Sequence, residues 1–172
     1  MEQIDNFPVF LFSGILPWLY LQESLMRSCN SVVEHRNLIR KTVFPSEILP
    51  LSVVISNLVT HLVGLAILLL VLFYMSALGW AVLLLPIYIF LLMLFSLGLG
   101  WLAAAVQVFL RDTSQILSVA MVLWFWFTPI FYSANMVPRV FQPWIKLNPM
   151  HHVVEGYRTL LLRNEFPELN SF

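Results

Sequence analysis

Charge is scarce in this sequence. Only 10% of its 172 residues are Asp, Glu, Lys or Arg, against the roughly 25% usual in soluble domains. A soluble fold of this size could not cover so much apolar surface with so few charges. The acidic and basic residues balance to a net charge of zero, which leaves no case for a basic nucleic-acid face. A single cysteine, Cys29, excludes a disulfide within the chain and a multi-cysteine metal site, and reads as a small packing residue. No GxxxxGK[ST] phosphate loop is present, so the chain cannot hydrolyse ATP by that route. The start, "MEQIDNFPVF", has two acids and no basic region, the wrong sign for a cleavable signal.

What is abundant is hydrocarbon: 60% of residues are hydrophobic and mean hydropathy is +0.85. The expected fold is an all-α integral membrane bundle with about four spans. Spanning the bilayer takes about 20 mostly apolar residues. Residues 7–21 fall short of that and contain Pro8, Gly14 and Pro17, so they predict half a span or a broken one. Residues 51–75 carry no charge and are long enough. A tight turn, "SALG", leads to residues 80–110, which are expected to tilt, kink at Pro86 or project beyond the membrane. The very aromatic residues 116–132 are marginal in length. Residues 133–150 hold three prolines and are too broken for a span, and residues 151–163 carry apolar side chains at helical spacing, predicting a short amphipathic helix.

Arg27, Arg36, Arg40 and Lys41 cluster in the connection at 22–50, and Arg111 lies in the "RDTSQ" turn. Parity puts these two connections on one side of the membrane. Arg139, Lys146, Arg158 and Arg163 are scattered along the tail on the other side. Clustering beside span ends predicts that 22–50 is cytoplasmic and 133–172 external.

Each chemical candidate has a plainer alternative. His151, His152 and Glu155 in "HHVVE" put His151 and Glu155 on one helix face; they could begin a zinc site or simply be interfacial polar residues. Asn57 and His61 are also four residues apart, inside an apolar run, and either join helices or face a transport path. Gly100 and Ala104 form a small-xxx-small pair suited to close helix packing, including packing between subunits. Trp124, Trp126, Phe127 and their aromatic neighbours form a membrane-interface belt or a stacking surface for a bulky substrate. In "VVEHRNLIRKTVFPSEILPL", a short helix of two to three turns should stop at Pro45, and Pro50 can sit in the first turn of the next span. Leu38, Ile39 and Phe44 beside Arg40 and Lys41 suit either a partner protein or a membrane surface.

The order "LFSGILPW", "NSVVEHRNLIRKTVFPSEILPL", "RDTSQIL", "FTPIFY" and "LNPMHHVVEGYRTLLL" resembles the ABC-2 family of transporter permeases. Within it, the chain is similar to the branch exporting polysaccharides and polyol phosphates: O-antigen, capsule or teichoic-acid exporters. The likeness runs from about Phe7 to Arg163. It implies a six-span permease that dimerises, sits in the cell membrane and pairs with separate ATPase subunits that bind the ATP and magnesium. Glu34, Asn37, Leu38, Ile39, Arg40, Lys41, Phe44, Pro45 and Glu47 match the family's cytoplasmic coupling helix. Pro138, Trp144, Asn148 and Pro149 match its external re-entrant segments. Aromatic channel linings in such exporters favour Trp124, Trp126 and Phe127 as substrate-path residues, with Asn57 and His61 as further candidates. The family's first and last spans have no counterpart here, so the chain is expected to be an incomplete single transmembrane domain matching spans two (in part) to five.

These readings converge on a permease subunit, not an enzyme, for a lipid-linked glycan. ATP-driven motion would enter through the helix before Pro45. The alternatives are an exporter of a drug or small lipid, and a membrane-embedded enzyme or assembly factor built on His151, His152 and Glu155.

Overall fold

A computed structural model describes residues 7–41, 44–76, 79–131 and 142–163 of the chain. Among these residues the structure is all helix. Helices α1 (Phe7–Glu34), α2 (Arg36–Lys41) and α3 (Ile48–Tyr74) are followed by a 3₁₀ turn (Trp80–Leu84) and α4 (Leu85–Phe109). Then come α5 (Thr113–Phe127), α6 (Gln142–Lys146), α7 (Pro149–Arg158) and a final π turn (Thr159–Arg163). Three helical stretches are long and apolar enough to cross a membrane: Phe7–Glu34, Ile48–Tyr74 and Trp80–Phe109. The fourth expected span is shorter; α5 has 15 residues, stopping before the Thr128–Pro129 dipeptide. Pro86 stands in the first turn of α4, just after the 3₁₀ turn, where a missing N–H is harmless. Tyr132 and Pro138 lie outside the described residues, as does the middle of the "SALG" turn.

The half-span expected at 7–21 is instead one continuous helix of 28 residues, with Pro17 inside it. Two physical reasons apply. Inside a bilayer a broken helix would leave backbone groups with no water to bind, so a proline surrounded by other helices is tolerated. Beyond Leu21 the side chains turned inward are small or apolar: Ser24, Leu25, Ser28, Cys29 and Ser31 are all buried at helical spacing. The connection read as 22–50 is therefore mostly helix, and its non-spanning part begins at His35.

That serine-rich stripe explains the packing. α1 is the most buried of the three long helices and touches α3, α4, α5 and α7. At Gly100 of α4 an added Cβ would lie 3.1 Å from both Cβ and Oγ of Ser28, so the two backbones approach closely. Ala103 and Ala104 continue the contact, and the Cys29 thiol lies 3.8 Å from the Ala103 carbonyl. Gly100, the first of the small pair, thus packs within the chain, against α1. Around this seam Trp18, Leu21, Leu25, Val54, Leu92 and Met121 form one apolar core. A second core, of Leu65, Leu68, Leu72, Ala81, Leu85, Tyr157 and Leu160, closes the other end. Large apolar side chains such as Leu70, Phe73, Leu83 and Leu102 remain outside, as expected of a surface facing acyl chains.

The basic end of the bundle is tied by side chains. The Gln107 amide donates to the Asn30 side chain (3.4 Å) and to the Arg111 carbonyl (3.1 Å), and its oxygen accepts from the Ser114 backbone N–H (2.9 Å). Trp101 Nε1 donates to the Glu47 carbonyl (3.0 Å). These bonds gather the end of α1, the start of α3 and the α4–α5 turn on one side, as parity and charge placement expected.

Gly100→Leu should lower the melting temperature of the purified full-length protein, at a cost of about 1–3 kcal/mol. Gly98→Leu, at an exposed site with nothing within 4 Å, should leave it nearly unchanged. Thermal unfolding of both variants in one detergent checks the contrast.

Candidate functional site

Three places combine unusual chemistry with ordered geometry: the segment at the basic end, a polar joint in the middle of α3, and an aromatic groove beside α5.

At the basic end α2 almost continues α1. The Ile39 N–H donates to the His35 carbonyl and the His35 N–H to the Ser31 carbonyl. α2 is described from Arg36 to Lys41, directly after the turn at His35. Glu34, Asn37, Pro45 and Glu47 are exposed, while Ile39 and Phe44 are half-buried. Nothing is described for the side chains of Leu38, Arg40 and Lys41. The Pro45 and Ser46 carbonyls accept from the Ile48 and Leu49 N–H groups, so the turn feeds directly into α3. Pro50 is buried in the first turn of α3, as expected. A cleft of about 400 Å³ opens alongside, lined by Arg27, Asn30, Ser31, Glu34 and His35.

Asn57 and His61 are both buried and join α3 to different helices. Asn57 accepts a 2.7 Å hydrogen bond from Arg27 Nη1 and donates to Ser24 Oγ at 3.3 Å, both on α1. One turn later His61 Nε2 pairs with the Tyr157 hydroxyl of α7 at 3.0 Å, with the Tyr20 ring 5.2 Å away. Both residues therefore act between helices. Neither reaches the aromatic groove, so the structure does not bring them together with Trp124, Trp126 and Phe127. Glu23 sits 3.6 Å from Arg27, but both are half exposed and the pair contributes little.

The groove has a volume of about 820 Å³. Trp124, Trp126 and Phe127 line it from α5, and Trp144, Leu147 and Asn148 from the segment that folds back. Trp126 and Phe127 are two-thirds exposed. Trp124 is half-buried, edge-on to Trp18 at 5.9 Å. Its indole N–H donates to Asn148 Oδ1 at 2.8 Å, and Asn148 Nδ2 donates to Thr128 Oγ1 at 2.9 Å. The same Oδ1 accepts from the Met150 N–H, so Asn148 is also the N-cap of α7, with Pro149 at the first helical position. One amide thus fixes the end of α5 to the start of α7. Such a lining, flat apolar rings with a few fixed polar groups, suits a bulky amphipathic ligand.

Arg158 supports the groove from behind. It is 3% exposed and donates to the carbonyls of Pro129 (2.8 Å) and Ile130 (2.5 Å), which the end of α5 leaves without helical partners. Its guanidinium stands 3.7 Å from the Phe10 ring centroid. Gly14 makes room for it, since a Cβ there would fall 2.8 Å from Nη2. The sequence reading missed both Arg158 and Tyr157 as organising residues. Their signal was a polar pair at the end of an apolar helical stripe.

His151 is buried, and burial together with the positive charge of His152, Arg158 and Lys146 pushes its imidazole down to about 4, so it is neutral at ordinary pH. His152 Nε2 pairs with the Lys146 carbonyl at 2.7 Å. Among the described residues no group of three His, Cys, Asp or Glu side chains stands together.

A helical bundle with three membrane-crossing helices, and a short arm that folds back against α1 and α4, defines a multi-pass membrane protein. The chain belongs to the ABC-2 type transporter family, whose sequence pattern matches residues 2–162. It is 31% identical over 170 residues to the O-antigen export system permease protein RfbA of Myxococcus xanthus, covering 97% of this chain and 65% of that protein. A protein of the same name from Klebsiella pneumoniae is 30% identical over 163 residues, covering 93% of this chain and 62% of its own length. The chain thus spans a little under two thirds of these relatives.

Asn148→Ala should cost about 1–2 kcal/mol by removing the α7 cap and the Trp124 acceptor. Asn148→Ser should recover the capping share alone. Thermal melts of the two variants, followed by tryptophan fluorescence, check the ordering.

Proposed function

We propose that this chain is the core of a permease subunit of an ATP-binding cassette exporter, moving a lipid-linked polysaccharide or polyol phosphate outward across the cell membrane. It works as a transport subunit, not an enzyme. The observation that carries the reading is the similarity to permeases named for O-antigen export, which extends over nearly all of this chain. The geometry is consistent with it. The aromatic groove offers Trp124, Trp126, Phe127 and Trp144 for stacking against sugar rings.

ATP and magnesium are assigned to a partner ATPase, since the sequence lacks a phosphate loop of its own. The ATPase docks on the cytoplasmic segment from Glu34 to Glu47. There Asn37 and Glu47 are exposed, and the Pro45 turn leads straight into α3. Closure of two ATPases pushes this segment, α3 moves, and the groove opens within a permease homodimer. The acyl portion of the substrate travels beside the apolar outer faces of α3 and α4.

Copurification of the full-length permease with its ATPase tests the docking. Ile39→Asp combined with Phe44→Asp should abolish retention of the ATPase, while the permease remains in the membrane. Undiminished retention would sink the assignment. Trp126→Ala with Phe127→Ala should leave retention intact and reduce glycan export in cells by tenfold or more, on the order of two lost stacking contacts.

A further inference from the structure

The segment that receives the motion and the groove that must respond lie at different ends of the bundle, and one hydrogen bond spans the gap between their helices. α3 begins beside Glu47, and thirteen residues later His61 meets Tyr157 at 3.0 Å. Tyr157 is fully buried on α7. The other end of α7 is Asn148, whose side chain holds Trp124 of the groove at 2.8 Å. α7 therefore connects the groove to α3, alongside the packing of Trp124 on Trp18 of α1.

The surroundings make this connection stiff. Gly156 lies so close to α4 that a Cβ would fall 2.1 Å from Cε1 of Tyr88, and the Tyr88 ring stands edge-on to that of Tyr157. α7 cannot slide along α4 without displacing that ring. One turn before His61, Asn57 fastens α3 to α1 through Arg27 and Ser24. Successive turns of α3 thus grip α1 and α7. A roll of α3 about the Asn57 contact would carry Tyr157, and α7 with it.

We infer that the His61–Tyr157 pair is the mechanical joint through which α3 sets the position of α7 and hence the shape of the aromatic groove. Both are positioning residues. This deepens the export reading above and rests on it: the partner ATPase's motion enters at the docking segment, and the joint delivers its effect to the groove.

The test uses the full-length permease with its ATPase in proteoliposomes. Trp126→Cys reports on the groove through its rate of maleimide labelling; the native Cys29 is buried. With the joint intact, trapping the ATPase with ATP and vanadate should change the labelling rate about fivefold or more. In the Tyr157→Phe background, which keeps the packing, that change should vanish while ATP hydrolysis stays within about twofold of the parent. With Tyr157 present, His61→Gln, which can still pair with the hydroxyl, should retain the response, and His61→Leu should lose it. Combining His61→Leu with Tyr157→Phe should be no worse than either alone, since both remove one interaction. An undiminished response in Tyr157→Phe overturns the joint, as do additive effects of the two variants. Parallel loss of hydrolysis and response would overturn it too, since the pair would then serve only folding. If the ATPase does not copurify with the unaltered permease, the export reading itself fails, an outcome distinct from failure of the joint.

Discussion

Everything in this structure follows from the lack of water in the bilayer interior. Backbone N–H and C=O groups there must be satisfied by the protein itself, which rules out open breaks in a spanning segment. That is why α1 runs unbroken past Gly14 and Pro17, and why the polar stretch from Gln22 to Glu34 stays helical. Where the chain does break, at Thr128–Pro129, side chains complete the backbone. Arg158 covers the carbonyls of Pro129 and Ile130, Thr128 returns its hydroxyl to the Trp124 carbonyl, and Asn148 bonds to Thr128. The groove exists because this one irregular point is fully supported.

The second requirement is cohesion without a hydrophobic drive between helices, since acyl chains are as apolar as leucine. Small residues supply it where Ser28 meets Gly100, and hydrogen bonds supply it where Asn57 and His61 meet α1 and α7. Cohesion of this kind is directional. Apolar packing alone would let helices slide, whereas a hydrogen bond between two named atoms fixes register. The same residues that hold the bundle together thus also fix its register.

Much of the fold was legible from hydropathy. The membrane class, the second and third long helices, the Pro50 start and the amphipathic helix at the end all follow from apolar run lengths and proline positions. The extent of α1 was hidden because serines and charges between Gln22 and Glu34 look like a loop to any hydropathy measure. The helical spacing of Leu21, Leu25 and Cys29 was the available counter-signal. The stretch at 116–132 already looked marginal in length, and α5 ends at Phe127, just before the Thr128–Pro129 dipeptide. Of the candidate site residues, the aromatic trio of Trp124, Trp126 and Phe127 does converge on one groove. Asn57 and His61 turned out to join helices because a polar pair at i, i+4 on a helix does not say which neighbour it faces.

By itself the sequence determined that this protein lies in a membrane and that two of its stretches, 51–75 and 80–110, are long and apolar enough to cross it. Those are properties of composition and run length, carried by each segment alone. The tertiary structure decided what each polar residue is for: Arg158 as a backbone partner, Asn148 as the tie between two helices, His61 as the partner of Tyr157. Such roles depend on which atoms meet across nearly a hundred residues of chain, and only the packing of the bundle settles that.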